Sequence, residues 1–400
     1  MINKEIGCYM TERISVHIKD DPLTNASRIF KITSSLVEHR VVSGCVVLGK
    51  WSKGLEERDA KNEARKIIRI KTPLQVMLAD GKLSGVSIFR KFVGLFSILC
   101  FHFSILKKLF RLRNVRYVCI HNPEFLVVAF IYRLFKRADV IYLPHELELH
   151  KTGLSQIRRL YIGLIEGLFI HIAKSVVLVS EPIKDWYEKR YYITKAYVVK
   201  NVPNVSPIMN GNVKARKLRE EFDIPEEHII FIYQGAIEES RGCSELLDIF
   251  KGVKDDRHLV LMGFGSLEDH VVSLSKTYKK IHFKKAVAMS EIPTFTSSAD
   301  VGLFFLFDEP TLSYKLSFPN KFSEYMISGI PMVVSNYVLH LSEIINKHGL
   351  GWSLVPSVQH LKMFIDNVSK RDVEMLSANI LDYSKNLSWN SEEKELLKGF

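Results

Sequence analysis

Lys321 and Glu324 stand three residues apart just behind Pro319, the most chemically pointed pairing in this 400-residue chain. Pro319 has the fixed φ of a first helical turn, where its missing N–H costs nothing. Gly329 followed by Pro331 is a stop signal, so the stretch Ser317–Asn336 reads as a short helix running into a buried strand. Phe322, Tyr325 and Met326 recur at helical spacing and mark its buried face, while Lys321, Glu324 and Ser328 share another. A helix N-terminus presents unpaired N–H groups and partial positive charge, so Lys321 one turn in suits a bound phosphate. The same spacing also fits an amphipathic helix with an exposed Lys–Glu pair, worth only ~0.2–0.5 kcal/mol.

The elements around this helix repeat a pattern. Ile229–Tyr233 is an apolar run that ends in Gln234-Gly235, followed by Arg241-Gly242 and a helical pattern at Ser244–Phe250. Leu259–Met262 leads into Gly263-Phe264-Gly265-Ser266. Ile281–Phe283, Ser290–Ser298 and Asp300–Phe305 make a third pass. Strands alternating with helices at this spacing predict a parallel sheet covered on both faces. Ligands of such sheets sit beyond the carboxyl ends of the strands. Gly235, Arg241, Gly263, Gly265 and the start of the Pro319 helix all fall at that edge.

The amino half uses the same language more loosely. Val41–Leu48 follows a helical segment around Ile29–Glu38; Val115–Ile120 reaches His121-Asn122-Pro123-Glu124, and Val140–Leu143 reaches Pro144-His145-Glu146. Val176–Val179 reaches Ser180-Glu181, and Tyr197–Val199 reaches Asn201-Val202-Pro203. His145 can hold or polarise a hydroxyl at neutral pH, since imidazole titrates near ~6.5. The neighbouring Glu146 can fix the ring or bind hydroxyls itself, and His121 fits either a ligand contact or a strand-end hydrogen bond. His145, Glu146, Glu148 and His150 lack the spacing of a zinc-protease helix, and no cysteine pair accompanies them, which speaks against a metal site.

Taken in order, Tyr233-Gln234-Gly235…Arg241-Gly242, Gly263-Phe264-Gly265-Ser266, Ala299-Asp300-Val301-Gly302-Leu303 and Pro319-Asn320-Lys321…Glu324-Tyr325-Met326…Gly329-Ile330-Pro331 resemble family-4 glycosyltransferases of the GT-B fold. The resemblance covers most of residues 228–336, and the amino half is similar more loosely. It implies an α/β protein of two Rossmann-like domains facing across a cleft, with a C-terminal helix crossing back to the first. It further implies a nucleoside-diphosphate sugar as donor substrate, transfer with retention, and neither cofactor nor metal. Carried over residue by residue, the donor set is Gly235, Arg241, Gly263, Gly265, Asn320, Lys321 and Glu324. Arg241 then holds the diphosphate, with Lys321 as a second cation, and Glu324 binds the ribose hydroxyls. The catalytic set is Arg241, Lys321 and His145, and His121 and Glu146 meet the acceptor. Two positions depart from the family: Ala236 replaces an Arg after the first glycine, and Leu316 replaces a carboxylate eight positions before Glu324. These departures keep open an alternative, a catalytically inactive GT-B module serving as a membrane-associated scaffold or regulatory partner.

Domain limits follow from a proline- and asparagine-rich linker at Pro203–Val213. The division expected is 1–203 for the acceptor domain, 204–384 for the donor domain and 385–400 for the returning helix. Five scattered cysteines (Cys8, Cys45, Cys100, Cys119, Cys243) suit reduced core thiols and a cytoplasmic protein. The amino terminus lacks the apolar stretch of a signal peptide. Residues 1–200 hold 34 Lys and Arg against 18 Asp and Glu, whereas residues 201–400 hold 22 against 26. The basic half contains Arg90–Arg111, an apolar stretch bracketed by cations whose run from Phe92 to Leu106 is 15 residues. A span needs ~20, so the stretch suits an interfacial helix on anionic lipid or a core helix with solvated ends. No basic-aromatic recognition element accompanies the high pI, which excludes a nucleic-acid partner. The expected partners are the nucleotide-sugar donor, a glycan or lipid-linked acceptor, and an anionic membrane surface. The expected setting is polysaccharide or glycolipid synthesis at the inner face of the plasma membrane.

Overall fold

The computed structural model describes residues 13–24, 26–62, 64–72, 87–204 and 215–400, with only the backbone of 60–62 and 87–95. Cys8 and most of the Pro203–Val213 linker lie outside the described residues. The chain divides into two compact units: one runs to Val199 and includes Glu393–Phe400, and the other is Lys200–Glu392.

The first unit is built on β1 (Ile14–Ile18), β2 (Gly44–Lys50), β3 (Arg58–Asn62), β4 (Arg65–Ile70), β5 (Val115–Ile120), β6 (Asp139–Tyr142), β7 (Ala173–Leu178) and β8 (Ala196–Val198). They form one sheet in the order β3-β4-β2-β1-β5-β6-β7-β8. Only β3, which runs back along β4, is antiparallel. The short apolar runs of the amino half are β2 and β5 to β8. The sequence reading passed over the β3–β4 hairpin and β1, whose Ser15 and His17 imitate a solvent face. Both are fully buried.

The end of the chain is bound into this unit. Tyr117 Oη and Lys174 Nζ donate to the Phe400 carbonyl at 2.8 and 2.7 Å, and Ser175 Oγ donates to the Gly399 carbonyl at 2.6 Å.

The second unit has an all-parallel sheet of β9 (Ile229–Ala236), β10 (Arg257–Phe264), β11 (Ile281–Lys285), β12 (Val301–Phe304), β13 (Met332–Ser335) and β14 (Gly351–Leu354), ordered β11-β10-β9-β12-β13-β14. Its middle strands are buried on both faces, as a covered parallel sheet requires. Asp300 ties the amino ends of β9 and β12 together. It accepts from the Ile230 N–H at 2.8 Å and pairs with buried Arg219 at 2.7 Å. Along the same edge runs a row of rings. His228 Nδ1 meets His258 Nε2 at 2.9 Å, and His258 Nδ1 meets His282 Nε2 at 2.9 Å, with Phe222 against the last imidazole.

In each sheet the strand order reverses once, between β1 and β5 and between β9 and β12. Crevices at the carboxyl side of such points are where doubly wound sheets hold ligands. The two units therefore each offer one site.

Candidate active site

In the second unit the crevice is opened by the divergence of β9 and β12, which are paired only at Val301–Phe231 and Gly302–Ile232. The helix Asn320–Ile327 seats itself above that point. Tyr325 is fully buried, and its hydroxyl lies 3.1 Å from the Ile232 carbonyl and 3.2 Å from that of Leu303, one on each diverging strand. Gly302 makes this possible, since a Cβ there would fall 2.4 Å from the Tyr325 ring. The far end is closed by bonds from Ile330 N to Tyr325 O and from Gly329 N to Met326 O, both 3.1 Å, a Schellman motif with Gly329 left-handed at φ +75°. The signals at Pro319, Gly329 and Pro331 thus mark real ends, with Pro319 capping the helix and Asn320 opening it.

This seating aims Lys321 at the crevice. Its ammonium lies 4.1 Å from the Tyr233 ring centre and 4.8 Å from that of Phe304, beside Gly235. Burial, with the Arg241 guanidinium nearby, pulls its pKa down to about 7. Arg241 sits over the Tyr314 ring at 5.0 Å. Among the described residues neither cation has an ion-pair partner. Two cations stacked on aromatic faces beside a helix N-terminus, with no ion pair among the described residues, make an anion site.

Glu324, one turn along, takes a hydrogen bond from Gln234 Nε2, and Gln234 Oε1 accepts from Thr296 Oγ1 at 2.8 Å. The carboxylate is thereby oriented by the end of β9. Asn320 is exposed and accepts from Asn201 Nδ2 at 2.9 Å. Gly263 and Gly265 serve the approach of one backbone to another. A Cβ on Gly263 would sit 1.8 Å from the Gly235 oxygen, and one on Gly265 would sit 2.2 Å from the Ile237 oxygen. They lock together the carboxyl ends of β9 and β10 and the turns that follow. At the departures from the family pattern, the Ala236 carbonyl accepts from Tyr233 Oη at 2.8 Å, and Leu316 ends the short helix Leu312–Lys315.

In the first unit the crevice between β1 and β5 is lined by histidines. His17 Nδ1 lies 3.1 Å from His121 Nε2, and His121 Nδ1 lies 3.0 Å from His145 Nε2. His121 is 1% exposed with both ring nitrogens engaged, so it stands behind His145. His145 is only partly covered. Burial holds His121 and His145 well below the usual imidazole range. Glu146 pairs with Lys151 at 3.6 Å. Glu148 is buried with Lys151 3.8 Å away, and burial raises its pKa to about 8 against the pull of that ammonium. Arg28 donates to the carbonyl of Pro144 at 2.9 Å and to those of Val177 and Val199 at 3.3 and 3.4 Å, gathering the ends of three strands.

Sequence reasoning missed His17, Ser15, Arg28 and Gln234. Only His17 carried a usable signal, a histidine inside an otherwise apolar strand.

Two doubly wound α/β units, one with a paired-cation crevice, make up the GT-B fold. Residues 228–370 match the family model described as Glycosyl transferases group 1. The chain is similar in structure to HepE of Anabaena in complex with UDP, with a TM-score of 0.68 at 14% identity over 96% of this chain and 98% of that one. It is also similar to sucrose-phosphate synthase of Thermosynechococcus elongatus, with a TM-score of 0.69, 14% identity and 96% of each chain covered. A third likeness is to the E. coli trehalose-6-phosphate structure bound with UDP-2-fluoro glucose, with a TM-score of 0.66, 10% identity and 95% and 97% covered. No curated protein matches the chain.

Proposed function

We propose that this protein is a retaining, metal-independent glycosyltransferase that moves a sugar from a UDP-activated donor onto a hydroxyl of a glycan or lipid-linked acceptor. The observation that carries the reading is the pair of cations, Lys321 and Arg241, at the switch point of the second unit, neither in an ion pair among the described residues. When the bond to the leaving diphosphate stretches, negative charge grows on phosphate oxygens and positive charge on the sugar ring. Fixed cations and a helix N-terminus stabilise that state in place of a metal. Glu324 takes the ribose hydroxyls. The acceptor hydroxyl attacks from the leaving-group face and gives its proton towards the departing phosphate. UDP is favoured as the carrier because structural neighbours were captured with UDP or UDP-sugars.

The test is calorimetric titration of UDP, GDP, ADP, dTDP and CMP into wild type, Arg241→Ala and Glu324→Ala. One nucleotide is expected to bind, unaffected by EDTA. Each variant should weaken it roughly ten- to a hundredfold, the range for losing a charged hydrogen bond. Binding by none of them would favour the inactive scaffold that Ala236 and Leu316 suggest.

The second part of the reading is peripheral attachment of the first unit to an anionic membrane at the cytoplasmic face, in the synthesis of a surface polysaccharide or glycolipid. Among the described residues no helix is long and apolar enough to cross a membrane. What supports attachment is one surface shared by three helices. The helix Ser87–Arg111 buries Phe101, Ile105 and Leu109 but exposes Phe96, Leu99 and Phe103. The helix Gln156–Phe169 exposes Ile157, Leu160, Leu164 and Leu168. Between them, the helix Leu126–Phe135 joins the two through the ring pairs Phe110–Phe135 at 5.9 Å and Phe130–Phe169 at 5.1 Å. The only carboxylate in these helices, Glu166, is fully buried beneath Tyr142, Tyr187 and Tyr191, whereas Lys107, Arg111, Arg133, Arg158 and Arg159 are exposed. Apolar stripes with cations, none of the three helices exposing a carboxylate and Glu124 beside them paired with Arg158 at 3.1 Å, match the boundary of an anionic bilayer. In flotation assays the protein should rise with phosphatidylglycerol vesicles and much less with phosphatidylcholine. Leu160→Glu with Leu164→Glu should abolish flotation; equal flotation of that variant would refute the surface.

A further inference from the structure

The histidine row of the first unit has a direction, and one carbonyl sets it. Cys45 Sγ lies 3.6 Å from the Thr33 oxygen, and a carbonyl oxygen only accepts. Burial pushes the Cys45 thiol up to about 11, so it keeps its proton and donates it there. The sulfur then accepts from Ser15 Oγ at 3.1 Å. Ser15, its proton committed, accepts through oxygen from His17 Nε2 at 3.2 Å. A neutral imidazole has one N–H and one lone pair. His17 Nδ1 is therefore the acceptor for His121 Nε2–H, and His121 Nδ1 the acceptor for His145 Nε2–H.

All three rings are neutral. Burial holds His17 at about 3, with Arg65 adding to it, and holds His121 and His145 well below 6.5. Arg28, Lys19 and Lys151 oppose a further proton on His145. With its single proton spent inward on Nε2, His145 is left with a lone pair on Nδ1.

We propose that Ser15, His17 and His121 are positioning residues that fix the tautomer of His145, so that its Nδ1 accepts a hydrogen bond from a substrate hydroxyl. The chemistry selects among ligands. A sugar hydroxyl can donate to that nitrogen, whereas an ionised phosphate or carboxylate oxygen meets lone pair against lone pair. Aligned donors along the row polarise one another and strengthen the terminal acceptor. The tautomer follows from the hydrogen-bond geometry of groups that burial keeps neutral; that the hydroxyl belongs to the sugar acceptor rests on the glycosyltransferase reading.

Selective 15N labelling of histidine in the full chain reads both ring nitrogens by NMR near neutral pH, and His145→Gln identifies the His145 signals by their loss. The expected spectrum shows a neutral His145 ring protonated on Nε2, with an unprotonated Nδ1. Ser15→Ala, which removes the inward acceptor, should shift His145 towards a mixture of tautomers. It should also lower kcat/KM for the acceptor about tenfold, with affinity for the nucleotide sugar unchanged within twofold. A His145 found protonated on Nδ1, or doubly protonated, overturns the proposal on wild type alone, even if Ser15→Ala does not fold. A folded Ser15→Ala with an unchanged tautomer overturns it equally. Failure of the glycosyltransferase reading appears separately, as loss of nucleotide binding beside an intact Nε2–H spectrum.

Discussion

Lys321→Ala is expected to lower turnover by roughly a hundredfold to a thousandfold, the range seen when one preorganised stabiliser of developing charge is removed. The fold should survive, because the Lys321 ammonium makes no ion pair among the described residues and the helix is anchored instead by buried Tyr325. A second readout separates this role from mere packing. Free Lys321 has a pKa of about 7, lowered first by burial and then by Arg241. A bound diphosphate favours the charged form and raises that pKa, so the site takes up protons as it fills. Uptake should be about 0.9 proton near pH 8, about 0.5 near pH 7 and about 0.1 near pH 6, following a group that titrates near 7. Calorimetry of a nucleotide sugar in buffers of different ionisation enthalpy measures this directly. Lys321→Ala should bind more weakly with no uptake; uptake that persists in the variant would assign the proton to another group.

Gly263→Ala is expected to cost about 3 kcal/mol or more, at the upper end for forcing extra volume into a packed site. Gly263 pairs with Gly235 across β9 and β10. An added methyl would meet the Gly235 carbonyl oxygen at 1.8 Å and its carbon at 2.9 Å, both backbone atoms with no rotamer to yield. The strands must part at their carboxyl ends, where the anion site is formed. Lower thermal stability and loss of nucleotide binding should therefore arrive together. Gly252→Ala is the control, since its Cβ would meet only ordinary contacts, at 3.7 Å to Lys362 Cε and 3.8 Å to the Ile249 oxygen. Its effect should stay within about 0.5 kcal/mol. If Gly263→Ala unfolds no earlier than that control, close packing of the two loops is not what the glycine serves.

Legibility in the sequence tracked how local each physical cause is. The strands of the second unit were readable because burial on both faces writes unbroken apolar runs such as Ile229–Tyr233, and the site helix because proline and glycine punctuate it. Gln234 was not readable as a site residue: it ends a strand, and its meaning depends on Glu324, 90 residues away. Ser15 and His17 were hidden for the opposite reason. Alternation in Ile14-Ser15-Val16-His17-Ile18 imitates a half-solvated strand, but the polar side is buried against Cys45 and His121. The glycines at the end of β10 were visible as a turn, whereas their close fit to the backbone of β9 belongs to the sheet register. The apolar run Phe92–Leu106 marked one exposed helix of the first unit, but the stripe on Gln156–Phe169 emerges only once Ile162 and Ile165 are seen to face inward.

The imidazole row at the amino edge of the second sheet shares with the buried histidines of the first unit the response of this protein to acid. Burial holds His258 and His282 at about 4 in the folded chain, against ~6.5 when unfolded. Between those values the unfolded chain binds more protons, so stability falls as the pH drops through that window, and levels off once the folded rings also charge. Lys321 stays mostly protonated through it. An acidic limb in an activity profile would therefore record the charging of buried imidazoles, His258 and His282 at one end of this sheet and His17, His121 and His145 in the first unit, while a basic limb near pH 7 would record the anion site. A single bell-shaped curve would join two unrelated events, one of folding and one of binding, and only a parallel unfolding curve tells them apart.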